Sequence, residues 1–319
     1  MELATDCGAF ARPDEASPSS EPADPAKSLY QPPATQQVYK STIPTEYSGF
    51  VIEQYFSLRF PYQTQDAWVV QILNGNILVN GNVARLGSIL REGDRIITYA
   101  GVRQEPPVDR NLNVVYRDRH IRVFNKPAPI PVHPSGRYFQ NSMTEVLKEA
   151  FPEEVPRPVQ RLDATTTGLI VFARTRQAAG FLMREFQGHR VHKEYLAIVN
   201  GKPKEKCFIL NDPIGVVTGG NRGTGEGITR PKSAITQVEW LASTETHSVL
   251  KVIPLSGRTN QIRVHLSSHG LPILNDGVYG EGESGSYDYG LHAWKLDFQC
   301  YNCHLEFEVS PPPHFEKYF

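Results

Sequence analysis

The chain has 319 residues, long enough for one large core or for two domains and a tail. Its 39% apolar content suits a soluble globular protein, its four cysteines are too few for a disulfide framework and point to a reducing compartment, and its net charge of -1 rules out a uniformly basic nucleic-acid binder. No apolar run approaches the roughly 20 residues of a membrane helix, and the acidic N-terminus lacks the features of a signal or transit peptide.

Residues 1–40 are rich in Pro, Ser, Ala and Asp, carry six acids against three bases, and show no periodicity; they predict a disordered tail. The remainder holds 30 bases against 28 acids. From Ile72 to Ile97, the turn pairs Asn74-Gly75 and Asn80-Gly81 flank Ile77-Leu78-Val79, predicting short strands and tight turns in a small module that ends near Glu105-Pro106-Pro107. A longer pattern follows. Ile121–Phe124 reads as a strand, NKPAPIPVHP as an extended loop, and Ser142 as the cap of a short helix carrying Val146 and Leu147. Leu169–Ala173 reads as a buried strand. Thr175 starts a helix with Ala179, Leu182, Met183 and Phe186 on one face, stopped by Gly188. Tyr195–Val199 and Val249–Leu255 read as strands, residues 215–227 with six glycines as a mobile loop, Thr259–His269 as a helix, and Leu291–Val309 as a hairpin. In that helix Ile262 and Leu266 face inward, with Arg263 and His265 on a wet face. Strands and helices alternate without a regular βαβ beat, so the fold class is α+β.

Several motifs fail on their flanks. GGNRGTGEG, 219–227, lacks the Lys-Ser/Thr pair and following helix of a phosphate-binding loop. Cys300-Tyr301-Asn302-Cys303-His304 spells a haem-attachment pattern, but Tyr301-Asn302 sits where a hairpin turn belongs. Asp276 in Asn275-Asp276-Gly277 reads as a turn residue. What stands out is Asp163 in RLDATTTGLIVFA: one carboxylate beside Arg161 and three threonines, ahead of an apolar strand. Residues 157–195 around it hold seven bases against three acids.

Four segments stand in order: Asn125-Lys126-Pro127 through Val132-His133-Pro134; Arg161-Leu162-Asp163 with Thr165–Leu169; His192–Ala197; and Gly257–Leu266, followed by Pro272-Ile273-Leu274 and Tyr279-Gly280. Together they resemble the RluA-type family of RNA pseudouridine synthases. Leu291-His292-Ala293 is similar to a later family element, and the small module is similar to an S4-like RNA-binding domain. Gln160, Pro129, Thr167 and Asn260 depart from common family residues, but none is the matched Asp, Tyr or Arg.

Beside the tail over 1–40, the resemblance implies an S4-like domain over 41–112 and a catalytic domain with a mixed, largely antiparallel sheet over 113–319. It implies isomerisation of uridine to pseudouridine in ribosomal or transfer RNA. That reaction loses no atoms and changes no redox state, so it needs no cofactor. The implied catalytic residues are Asp163 as nucleophile, Arg258 as its guanidinium partner and Tyr195 stacking on the base. Arg161 fills the space of the flipped-out base, and Lys126 and Arg263 contact substrate. The expected partner is structured RNA, with no membrane, no metal, a monomeric state and a cytoplasmic location. Two rivals predict different outcomes. A catalytically silent RNA-binding protein tolerates Asp163→Asn, and a hydrolase pairing Asp163 with Asp276 releases a free base or sugar.

Overall fold

The computed structural model describes residues 29–282 and 288–319. Pro32–Glu105 packs as one compact unit; the described residues of Pro106–Phe319 form the other, together with residues 29–31.

The small unit contains β1 (Thr35–Thr42), α1 (Ile52–Arg59), α2 (Gln65–Leu73), β2 (Ile77–Val79), β3 (Asn82–Val83) and β4 (Arg95–Arg103). Its sheet runs β1-β4-β2-β3. Thr64 caps α2 by accepting from the Ala67 amide at 3.3 Å. Asn80 and Gly81 turn β2 into β3 with φ of +52° and +85°, the left-handed pair that an Asn-Gly hairpin supplies cheaply. Ile52, Tyr55, Phe56, Trp68, Ile72, Ile77, Leu90 and Ile96 form the core. The disordered reading of residues 1–40 is corrected from Thr35 onward, where TQQVYKST pairs antiparallel with β4. Most of its side chains are exposed, so this edge strand leaves no apolar alternation to read. Residues 1–28 lie outside the described residues.

The larger unit contains β5 (Asn113–Arg117), β6 (Ile121–Lys126), α3 (Met143–Ala150), β7 (Arg157–Pro158), β8 (Thr167–Ala173), α4 (Arg176–Gln187), β9 (His192–Asn200) and β10 (Cys207–Leu210). Then come β11 (Ile214–Val216), β12 (Arg222–Gly223), β13 (Thr229–Lys232), β14 (Thr236–Ser243), β15 (His247–Pro254), α5 (Gln261–Ser268), β16 (Leu291–Cys300) and β17 (Cys303–Glu308). The main sheet runs β10-β14-β15-β9-β16-β8-β6-β5, with β17 on β16 and β7 on β8. Among the described residues its pairings are antiparallel except β16 with β8, so the expected α+β class with a mixed, largely antiparallel sheet holds.

The β8–β16 contact is close. Gly168, at φ +106°, lies opposite Ala293, and a Cβ there would stand 2.2 Å from the Ala293 carbonyl oxygen. Only glycine meets both demands. Next to it Thr167 Oγ1 lies 2.8 Å from His292 Nδ1, and His292 Nε2 lies 3.2 Å from the Val309 carbonyl. Burial holds the His292 ring down at about 4, so it is neutral and donates from Nε2 to Val309.

Three further expectations are corrected. The segment 106–112 belongs to the larger unit rather than to a domain ending at 112: Val108 is fully buried in its core, and Asn141 donates to the Pro106 carbonyl at 2.8 Å. The glycine-rich segment forms the three-stranded sheet β12-β11-β13, where a Cβ on Gly215 would meet the Thr229 carbonyl at 2.7 Å. Ser142 stands at the N-cap of α3, but its hydroxyl is turned to Thr144 at 3.3 Å instead of capping.

Candidate active site

Asp163 sits in a turn just before β8, its carbonyl accepting from the Thr166 amide at 3.2 Å. Two anchors hold that turn from below. The Ala164 carbonyl accepts from the Ile130 amide at 2.9 Å and from Lys126 Nζ at 3.0 Å. Lys126 also donates to the Pro127 carbonyl at 2.8 Å and is buried. Burial outweighs the attraction of Asp163 and Asp109 and lowers its amine to about 7. Lys126 therefore ties the proline loop to the aspartate's turn; substrate cannot reach it.

The Asp163 carboxylate is 29% accessible, and its Oδ2 accepts from Arg263 Nη1 at 2.7 Å. Arg263 lies on α5 and has a second, more buried partner. Its Nε donates to Asp276 Oδ2 at 2.7 Å and its Nη2 to Asp276 Oδ1 at 2.8 Å. Asp276 also accepts from the Val278 and Tyr279 amides and from the Tyr289 hydroxyl. Burial works to raise the Asp276 carboxyl, but the hydrogen bonds and charge of Arg263 and the two amides outweigh it, so it stays ionised. Burial likewise works to lower Arg263, and the bond to Asp276, Tyr289 and the two carboxylates outweigh it in the other direction. The guanidinium is thus permanently charged and held in a bidentate fork, leaving Nη1 aimed at Asp163.

One cation serving two carboxylates leaves the trio with net negative charge. Asp163 receives a single charged hydrogen bond, enough to orient it without neutralising it, and among the described residues its Oδ1 makes none.

Tyr195 on β9 pairs across to Ala293 on β16 and Val252 on β15, and packs against two core clusters. Burial, and secondarily the Asp163 charge, push its hydroxyl up to about 12, so it keeps its proton. Arg161 is exposed and close enough to His133 to help hold that imidazole down after burial has done most of it.

Of the residues that sequence reasoning singled out, Asp163 and Tyr195 lie close together. The expected partner for Asp163 is corrected: Arg258 donates from Nε to the Ser233 carbonyl at 2.9 Å, and Arg263 holds the aspartate. The wet face expected for α5 is corrected too. His265 is fully buried between Thr236 Oγ1 at 2.8 Å and the Asp212 carbonyl at 2.9 Å. Helix α5 starts at Gln261 from a left-handed Asn260 and is buried on most sides, so its polar residues point into the protein. Asp276 is a turn residue as read, and is also the anchor of the site's cation. Its short spacing from the α5 motif was the one available signal.

Residues 120–268 match the family described as RNA pseudouridylate synthase. RNA pseudouridine synthase 7 of Arabidopsis thaliana is 31% identical over 82% of this chain and 74% of its own length. The ribosomal large subunit pseudouridine synthase D of Pseudomonas aeruginosa is 33% identical over 75% of this chain and 76% of its own.

The chain belongs to the RNA pseudouridylate synthase family.

Its match to the mitochondrial tRNA pseudouridine(32) synthase of Saccharomyces cerevisiae, at 34% identity, covers 71% of this chain but only about half, 51%, of the yeast protein. Among solved structures, human RNA pseudouridylate synthase domain containing 1 superposes with a TM-score of 0.56 at 30% identity, over 65% of this chain and 86% of that one. The family match spans Lys126, Asp163, Tyr195, Arg258 and Arg263, and ends just before Asp276.

Proposed function

We propose that this protein is an RNA pseudouridine synthase acting on transfer or ribosomal RNA, with Asp163 as nucleophile. One observation carries the reading: a single accessible carboxylate, oriented by a fixed guanidinium, lies near a half-buried tyrosine. Isomerisation breaks the bond from C1′ to N1, forms one from C1′ to C5, and moves the C5 proton to solvent while N1 gains one. Asp163 forms the covalent link that keeps base and ribose together between those events. The target uridine leaves its stack to reach it, and the exposed Arg161 takes the vacated place. Tyr195 lies against the base, and its hydroxyl assists the proton shift at C5. Arg258, off the carboxylate, acts on RNA near the strand-to-helix junction.

The Pro32–Glu105 unit, two helices on a small sheet, serves as an S4-like RNA-binding domain. Relatives named for transfer RNA and for the large ribosomal subunit support both substrate classes. Among the described residues no helix is long and apolar enough to cross a membrane. We place the protein in the cytoplasm as a monomer.

Unmodified transfer and ribosomal RNA, incubated separately and digested to nucleosides, test the reading. Pseudouridine appearing at the expense of uridine, without free uracil, is the expected result. Free uracil signifies a hydrolase that pairs Asp163 with a water. RNA binding with no new nucleoside signifies a silent binder.

A further inference from the structure

The ladder between β9 and β15 ends at the pair Tyr195↔Val252, although β9 begins at His192 and β15 runs on to Pro254. The diverging ends enclose a cleft of about 330 Å³. Ile253, Pro254 and Leu255 form one wall and residues 189–193 the other. Leu255 is 43% exposed, so the cleft has an apolar rim open to solvent. Two basic side chains of the second wall are already engaged. Arg190 donates to Glu185 at 2.7 and 2.9 Å, and His192 Nε2 lies 2.9 Å from Glu194. Lys193 differs. It is half-buried, and among the described residues it has neither an ion pair nor a hydrogen-bond acceptor. Burial accordingly pushes its amine below the ordinary lysine value. An uncompensated, half-desolvated ammonium is costly in a free protein and favourable once an anion arrives. Lys193 and Tyr195 stand two residues apart on one strand, so both face the same side, about 7 Å from each other.

We propose that this cleft holds a nucleotide adjacent to the target uridine, with Lys193 meeting its backbone phosphate and Pro254 and Leu255 flanking its base. The proposal rests on the synthase reading and adds a substrate-positioning residue to it. The site predicts that the enzyme senses the nucleotide next to its target through one phosphate and one apolar wall.

The test is fluorescence anisotropy of a short labelled oligouridylate and of labelled unmodified transfer RNA, titrated over a range of salt. For Lys193→Met, affinity is expected to fall about tenfold and the log–log salt slope to drop by about 0.7, the share of one phosphate contact on a single strand. Lys193→Arg retains both. Lys204→Met, an exposed lysine beyond the far end of β9, changes neither. Lys193→Met removes a desolvated charge, so its melting temperature should equal or exceed the wild type's. Wild-type affinity and slope in Lys193→Met overturn the proposal, as does an equal loss in Lys204→Met. Release of C5 tritium with no dependence on Lys193 removes the cleft and leaves the synthase. Lys193-dependent binding without such release removes the synthase reading and leaves the cleft as an RNA site.

Discussion

Asp276 grips Arg263 through two parallel hydrogen bonds of 2.7 and 2.8 Å from a side chain that is wholly buried. The remaining guanidinium nitrogen can then point only to Asp163. Asp276 touches no substrate in this arrangement; it acts by fixing the group that fixes the nucleophile.

Arg263→Lys keeps the charge but loses the fork, since one ammonium cannot satisfy both carboxylates in the same geometry. A charged hydrogen bond of this kind is worth about 1.5–3 kcal/mol, so kcat should fall roughly tenfold to a hundredfold, with KM for RNA little changed. Arg258→Lys, which keeps the charge that meets RNA and leaves the Asp163 carboxylate untouched, should retain most of kcat. Steady-state kinetics on both variants check this, and the reverse order of effects would return the partner role to Arg258.

That pair of arginines also shows how far the sequence could be read. Asp163 stood out in the sequence as a lone carboxylate beside Arg161 and ahead of an apolar strand, whereas the role of Tyr195 came only from the resemblance of His192–Ala197 to a family motif. The choice between Arg258 and Arg263 turned on where helix α5 begins and how much of it is covered. Ile262 and Leu266 mark one apolar face, but they do not show that β14, β15 and the 271–280 loop enclose the other sides. Asp276 looked like any Asn-Asp-Gly turn, and its second role depends on a contact that only the tertiary fold makes. In the small unit, β1 was missed for a similar reason: an edge strand held by backbone bonds needs no pattern of buried side chains.

Gly168→Ala should be severely destabilising. The residue's φ of +106° already strains any side chain, and the added carbon would meet the Ala293 backbone at 2.2 Å. A loss of at least about 3 kcal/mol is expected, visible as a lowered denaturation midpoint or as failure to accumulate folded protein. Gly81→Ala, at φ +85° with nothing within 4 Å, should cost far less.

His292 gives the fold an acid-sensitive seam. Its folded value of about 4 lies below the ordinary 6.5, so between those values the unfolded chain binds a proton the folded chain refuses. Stability from this group is fully present above pH 6.5 and is lost as pH falls toward 4, by about 3 kcal/mol in total. Urea denaturation of wild type and His292→Gln across that range should show a pH-dependent difference between them. A constant difference would mean that the ring is not held neutral by burial between Thr167 and Val309.

The central claim is that Asp163 performs the chemistry, and the most direct measurement is tritium release from RNA labelled at C5 of uridine. Wild type should release tritium from transfer or ribosomal RNA. Asp163→Asn should release none while binding the same RNA with similar affinity. Equal release by Asp163→Asn would contradict the mechanism and move the reaction to another group.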